Sequence, residues 1–242
     1  MHAPVATPIS VKLLLQAYRV GVFPMSDDRE DAEIFWVEPR ERAILPLDGF
    51  HCSRTLRKVL RQDRFAVTCN RAFAEVIARC ASPRPDQPTS WISRRIEASY
   101  LALHAAGHAH SIECWRDGRL VGGLYGVAFD RVFCGESMYS HADNASKVAL
   151  AWLVAAMRSG GYRLLDCQFM TGHLESLGAT PLSQAEYRKL LVKARGQPAR
   201  SIPEAIAAFQ AEGSADHSSS SAAGAEPSSP GKLIAQSLTQ TS

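Results

Sequence analysis

From residue 110 the chain changes period, and that change constrains the fold more than any other feature. Residues 110–115 (His-Ser-Ile-Glu-Cys-Trp) read as a strand, and Arg116-Asp117-Gly118-Arg119 carries the Asp-Gly signal of a tight hairpin turn. A glycine-bearing strand follows over 120–128, then a turn at Phe129-Asp130-Arg131 and a third strand over 132–138. This is an antiparallel meander. A strongly apolar helix over 145–158 comes next, closed by Gly160-Gly161, and then a buried strand over 162–168. A meander, a helix and a returning strand predict an α+β fold.

The flanking segments give shorter elements. Residues 1–9 read as a loose arm, and 10–20 as a helix with Ser10 as N-cap and Gly21 as its stop. An acidic loop over 27–33 leads to extended pieces at 34–37 and 42–47. Residues 1–42 are expected to form a small N-terminal domain and 43–197 the main domain. Helices are expected over 53–64, 70–80, 92–106, 173–177 and 183–194, with a breaker-rich loop at 82–88. Apart from a short helix at 202–209, residues 198–242 read as a mostly disordered tail rich in Ser, Ala and Pro.

Composition narrows the class. With 242 residues, 46% of them hydrophobic, the chain can bury a substantial core. Its longest apolar stretch, 148–157, is about half the ~18–20 residues that span a bilayer. No basic segment followed by an apolar one marks an export signal. The six scattered cysteines, with no Cys-x-x-Cys pair, then read as reduced thiols in a cytoplasmic protein. Neither a membrane partner nor a structural zinc site is expected. His104, His108 and His110 are a weak metal signal, since Gly107 breaks the helix between the first two.

Four constellations could carry chemistry. On residues 53–64, Arg54, Arg57, Lys58, Arg61 and Arg64 recur at helical spacing, opposite Leu56, Val59 and Leu60. Such a face is a solvated stripe or a contact for a phosphate backbone, and only Asp63 interrupts it. Gly122-Gly123-Leu124-Tyr125-Gly126 is a tightly packed strand or a backbone-binding one, and fits no phosphate loop. Glu136, between Gly135 and Ser137 on an otherwise apolar strand, is costly to bury without a partner. Asp166 and Gln168 lie two apart near the end of a strand and so share a face, with Cys167 opposite.

Seven blocks, in order, resemble the bacterial leucyl/phenylalanyl-tRNA–protein transferase family. They are residues 18–25 (Tyr-Arg-Val-Gly-Val-Phe-Pro-Met), 89–93 (Thr-Ser-Trp-Ile-Ser), 107–113 (Gly-His-Ala-His-Ser-Ile-Glu), 122–127 (Gly-Gly-Leu-Tyr-Gly-Val), 133–138 (Phe-Cys-Gly-Glu-Ser-Met), 144–147 (Asn-Ala-Ser-Lys) and 166–168 (Asp-Cys-Gln). The resemblance covers about residues 10–192.

It implies a small N-terminal domain followed by a GNAT-like acyltransferase domain. It also implies transfer of Leu, Phe or Met from aminoacyl-tRNA to proteins beginning with Arg or Lys, which marks them for degradation through the N-degron route. No metal or organic cofactor is implied. Asp166 and Gln168 match the family's catalytic pair and Glu136 its acidic active-site residue. Met25 and Trp91 match positions near the aminoacyl-adenosine, although relatives carry Trp where this chain has Met25. Tyr125, Val127, Phe133 and Met138 are candidates for the apolar substrate pocket. Arg54, Arg57, Lys58, Arg61 and Arg64 become the expected tRNA contact, and a monomer is expected. An acetyl-coenzyme A enzyme and a non-catalytic RNA-binding module remain alternatives. The first is disfavoured because no Gly-rich turn opens the helix at Ala145, the second because Glu136, Asp166 and Gln168 are all present.

Overall fold

A computed structural model describes residues 7–83, 89–219 and 228–239. The expected meander is its centre. Strands β1 (Phe23–Met25) and β2 (Phe35–Val37) form a small antiparallel ribbon. The main sheet has seven strands: β3 (Glu41–Ile44), β4 (Ala66–Cys69), β5 (Ala109–Arg116), β6 (Arg119–Phe129), β7 (Val132–Ser140), β8 (Leu164–Gln168) and β9 (Thr180–Ser183). Their order is β4-β5-β6-β7-β8-β3-β9. Asp117 and Gly118 both have positive φ, 53° and 71°, as the tight β5–β6 turn requires.

Only β7 and β8 pair in parallel among these neighbours. A parallel pair needs a long crossover. Helix α5 (Ala145–Gly160) supplies it, and thirteen of its sixteen residues are buried, so it is enclosed rather than laid on the surface. Gly161, at φ 75°, ends it in a left-handed cap.

Helices cover both faces of the sheet. Against one lie α5, α2 (Arg54–Arg61), α8 (Ile202–Ser219) and α9 (Pro230–Ser237), sharing a core with Ile112, Leu124 and Leu165. Against the other lie α1 (Val11–Arg19), α3 (Phe73–Cys80), α4 (Arg94–Ala105) and α7 (Gln184–Lys193), around Tyr18, Tyr100, Val127 and Tyr187, while the short α6 (Gly172–Glu175) follows β8. Ser10, Ser53 and Ser93 cap α1, α2 and α4 with their hydroxyls.

The glycine-rich strand follows the tight-packing reading. A Cβ on Gly126 would sit 2.2 Å from the Cys134 carbonyl oxygen and 2.3 Å from the Phe133 ring. One on Gly122 would sit 2.5 Å from the Ala145 Cβ, at the start of α5.

The expected division at residue 42 coincides with β3, which joins the main sheet between β8 and β9. Two expectations are corrected. Of the N-terminal arm, residues 1–6 lie outside the described residues, but Ile9 is buried and donates its N–H to Ser99 Oγ at 2.9 Å. Much of the tail is helical: α8 and α9 flank residues 220–227, which lie outside the described residues. The segment is Ser-rich, but Ile202, Ala205 and Ile206 repeat at helical spacing and are buried, as are Ile234, Ala235 and Leu238. Each such Ile or Leu contributes about 1.5–3 kcal/mol by leaving water, and Ser229 and Pro230 start α9 with a capped first turn. The loop expected at 82–88 falls mostly on 84–88, outside the described residues. Strands β4 and β9 were not expected; β9 sits at a sheet edge, where its Pro181 is tolerated.

Candidate active site

The parallel pairing of β7 with β8 sets Cys134 opposite Asp166 and brings the end of β8 beside Glu136. Asp166 is fully buried. Arg42, also fully buried, donates Nε to Oδ1 at 2.8 Å and Nη2 to Oδ2 at 2.5 Å. Oδ2 also accepts from the Tyr187 hydroxyl at 2.8 Å and the Cys134 thiol at 3.3 Å. The guanidinium stacks between the rings of Phe23 and Tyr187, 4.8 and 4.4 Å from their centroids, and donates Nη1 to the Gly21 carbonyl at 3.0 Å. A planar fork suits this two-point pairing.

Asp166 acts on Gln168 through the backbone: its Oδ1 accepts the Gln168 N–H at 2.9 Å. Gln168 has φ 58°, the left-handed region in which a non-glycine residue is strained. That turn breaks the alternation expected along the strand. The Asp166 carboxylate faces Arg42 and Tyr187, while the Gln168 side chain swings to Glu136 and donates Nε2 to Oε1 at 3.1 Å.

Glu136 is held on its other side by two phenols. Tyr18 donates to Oε1 at 2.8 Å and Tyr100 to Oε2 at 2.9 Å, and the two hydroxyls meet at 2.5 Å. Burial pushes the Glu136 carboxyl up to about 7, against the lowering pull of the tyrosine hydrogen bonds. The nearby Asp166 charge raises it further, and Arg42 offsets part of that. A half-buried carboxyl with such a value can take or give a proton near neutrality.

Glu136 and Gln168, with Ser137, Thr171 and His173, form the polar part of the lining of a cavity of about 360 Å³. Its apolar wall comes from Leu124, Met138, Leu150, Leu153 and Leu165, with Cys167 beside them. Phe23, Met25, Trp91 and Phe169 also line it; Phe23 and Phe169 meet edge to face at 5.8 Å. Burial pushes the Cys167 thiol up, so it is no ready thiolate.

The structure therefore brings together Glu136, Asp166, Gln168, Met25, Trp91 and Met138. It does not bring Tyr125, Val127 or Phe133 to the cavity, and the pocket expectation is corrected for these three. On β6, alternation turns Leu124 to the cavity and Tyr125 and Val127 to the opposite core. Phe133 is fully buried, its ring against the space that Gly126 leaves open. Leu150 and Leu153 went unnoticed because a continuously apolar helix does not announce which residues face a cavity. Arg42, Tyr18, Tyr100 and Tyr187 went unnoticed because their roles depend on distant partners.

Helix α2 presents Arg54, Lys58, Arg61 and the following Arg64 to solvent, with Arg57 half-buried and within 3.5 Å of the Cys52 carbonyl. None of the five forms an ion pair with a described residue. Among the described residues, no three His, Cys, Asp or Glu gather as a metal site would need. His104 instead stacks on Phe73, and His110 contacts Asn70 at 3.0 Å, its pKa lowered to about 4 by burial and the other two histidines. No described helix is long and apolar enough to cross a membrane.

The family model described as leucyl/phenylalanyl-tRNA protein transferase matches residues 44–192, and the N-terminal domain model of the same family matches residues 7–40. The leucyl/phenylalanyl-tRNA–protein transferase of Novosphingobium aromaticivorans is 55% identical, over 97% of this chain and 97% of its own. That of Rhizorhabdus wittichii is 60% identical, over 78% and 76%. Among solved structures, L-PGS from Bacillus licheniformis aligns over 68% of this chain and 55% of its own, with 12% identity and a TM-score of 0.35, too slight a likeness to bear on the fold. With both family models matched in order and a relative aligned almost end to end, the chain belongs to the leucyl/phenylalanyl-tRNA protein transferase family.

Proposed function

We propose that this chain moves Leu, Phe or Met from an aminoacyl-tRNA to the α-amino group of proteins beginning with Arg or Lys, marking them for the N-degron route. The observation that carries this reading is the Gln168–Glu136 hydrogen bond at the edge of a largely apolar cavity. An apolar side chain fits the wall of Leu124, Met138, Leu150, Leu153 and Leu165, and its ester carbon then lies toward the polar edge. Met25 and Trp91 are the proposed neighbours of the terminal adenosine.

The donor ester is already activated, so the chemistry reduces to amine deprotonation, attack and departure of the ribose hydroxyl. An α-amine has an ordinary pKa of about 7.7–8.0. Glu136, raised to about 7, is close enough to accept its proton and carries negative charge to attract a cationic acceptor. Gln168 donates its amide N–H to Glu136, which leaves its carbonyl oxygen to accept from the incoming ammonium. An amide is a very weak base, so Gln168 aligns the amine while Glu136 takes the proton and returns it to the departing ribose oxygen. Asp166 touches no substrate and holds the turn from which Gln168 projects.

Arg54, Arg57, Lys58, Arg61 and Arg64 are the proposed tRNA phosphate contacts. The first four stand on a helix packed against α5, which carries Leu150 and Leu153 to the cavity, and Arg64 follows it. Strands β5 to β7, α5 and β8 form the proposed GNAT-like unit, in a protein read as a cytoplasmic monomer without metal or organic cofactor. The test is transfer of labelled Leu or Phe from charged tRNA to peptides beginning with Arg, Lys, Asp or Ala, with uncharged tRNA and acetyl-coenzyme A as controls. Incorporation into Arg and Lys peptides alone is expected. Its absence from every charged tRNA overturns the reading.

A further inference from the structure

We infer that α9 is a brace for α2: it fixes the basic helix against the core, so that its cations meet an RNA backbone already arranged. This rests on the reading of α2 as the tRNA contact. By itself α2 is a poor helix. It has eight residues, fewer than the ~12–15 at which isolated helices become even marginal in water. Arg54 and Lys58 stand four apart, as do Arg57 and Arg61, and like charges at that spacing repel. Arg54 also sits at the N-terminal end, where the helix dipole disfavours a cation.

What holds α2 is its underside, where Leu56, Val59 and Leu60 share one core with Ile234, Ala235 and Leu238 of the α9 segment. The junction is specific at one point. Asp63, at φ 43° just past α2, accepts the Gly231 N–H at 2.8 Å and the Ser229 hydroxyl. The same hydroxyl accepts the Lys232 N–H and so caps α9. The one acid among residues 53–64 is thereby turned onto α9 rather than onto the cations.

Gly231 permits the contact: a Cβ there would lie 2.1 Å from the Leu60 carbonyl oxygen and 2.6 Å from Asp63 Oδ1. Two further bonds fix the surroundings. Gln210 of α8 donates Nε2 to the Val67 carbonyl of β4 at 2.6 Å, and Arg158 of α5 donates Nη1 to the Ser237 carbonyl of α9 at 2.9 Å. Helix α2 and the strand that follows it are each held by a segment none of whose residues lines the cavity.

The test is Gly231→Val in the full-length chain, read by hydrogen exchange and by transfer from two donors, charged tRNA and the 3′-aminoacyl-adenosine fragment. Expected are faster exchange of the backbone amides of 54–61 and a KM for charged tRNA raised about tenfold, as loss of ordered phosphate contacts predicts. The rate with the short donor, which does not reach α2, stays within about twofold. If Gly231→Val does not fold, Ile234→Ser takes its place with the same readouts. An unchanged KM for charged tRNA while the α9 amides exchange faster overturns the brace, as does an equal loss with both donors. The double variant Arg57→Glu/Arg61→Glu runs alongside. If it leaves the KM unchanged, the tRNA reading of α2 falls and the brace with it; if it raises the KM while Gly231→Val does not, only the brace falls.

Discussion

Arg42 and Asp166 form a two-point ion pair with neither side chain exposed to solvent. Burying two charges is repaid only when geometry and further hydrogen bonds are good, and here Gly21, Tyr187, Cys134 and the Gln168 N–H complete the set. Removing one partner leaves the other charge stranded. Arg42→Met is expected to cost about 3–5 kcal/mol, measured by denaturant unfolding. A loss below 1 kcal/mol would refute the pairing as a stability determinant.

Asp166→Asn tests the positioning role. It keeps the shape but weakens the hold on the strained Gln168 turn. The rate constant for transfer is expected to fall by about tenfold or more, while affinity for charged tRNA, measured by filter binding, stays within about threefold. Equal loss of binding and rate would mean that the donor site itself had collapsed.

The pH response of Glu136 has opposite signs in catalysis and stability. Its carboxyl is raised from 4.5 to about 7, so the folded protein holds a proton there that the unfolded chain has released. That contribution to stability is full below about 4.5 and is lost as pH rises through about 7. The basic form needed to accept a proton appears over the same upper range, so kcat/KM should rise through about pH 7. Glu136→Gln should remove that limb of the profile and abolish the matching slope in stability. A limb that persists in Glu136→Gln assigns the base elsewhere.

Leu150 lines the cavity from α5, and a ring there takes volume from the transferred side chain. Leu150→Phe is expected to lower Phe transfer relative to Leu transfer by about tenfold, within the few kcal/mol that a hydrophobic pocket can discriminate. Competition between the two charged tRNAs measures the ratio directly; no change places the side chain in another part of the cavity.

For α2, Arg57→Ala with Arg61→Ala should lower tRNA affinity and reduce the slope of log K against log salt by about two if both residues meet phosphates. An unchanged slope would return these residues to a solvated surface.

What the sequence made legible was local. Asp117-Gly118 announced its hairpin, Ser10 and Ser53 their helices, and the apolar run at 145–158 the enclosed crossover, because each signal acts over a few residues. Glu136, Asp166 and Gln168 stood out as polar groups on apolar strands, and family resemblance gave them roles. Their supports did not stand out. Arg42 is an ordinary residue until β3 is laid beside β8, and Tyr18 and Tyr100 become carboxylate donors only when α1 and α4 share one face. The cavity wall misled for a related reason: the bulge between Tyr125 and Gly126 shifts the register of β6 against β7, and residue type cannot tell which face of a doubly covered strand meets a cavity. The tail misled because Ser and Gly content hid the few apolar residues that dock it.

The contacts around Asp166 also set a timetable. Arg42 precedes it by 124 positions and Tyr187 follows it by 21, while Tyr18, which grips Glu136, lies 118 positions before that residue. During synthesis the early residues leave the ribosome with their carboxylates still unmade, and the last phenol arrives only with α7. The ensemble of Gln168, Glu136 and their holders is thus complete only in a chain grown past residue 187. A nascent fragment, even one that already has the central meander, lacks the Tyr187 hydroxyl that completes the set around Asp166.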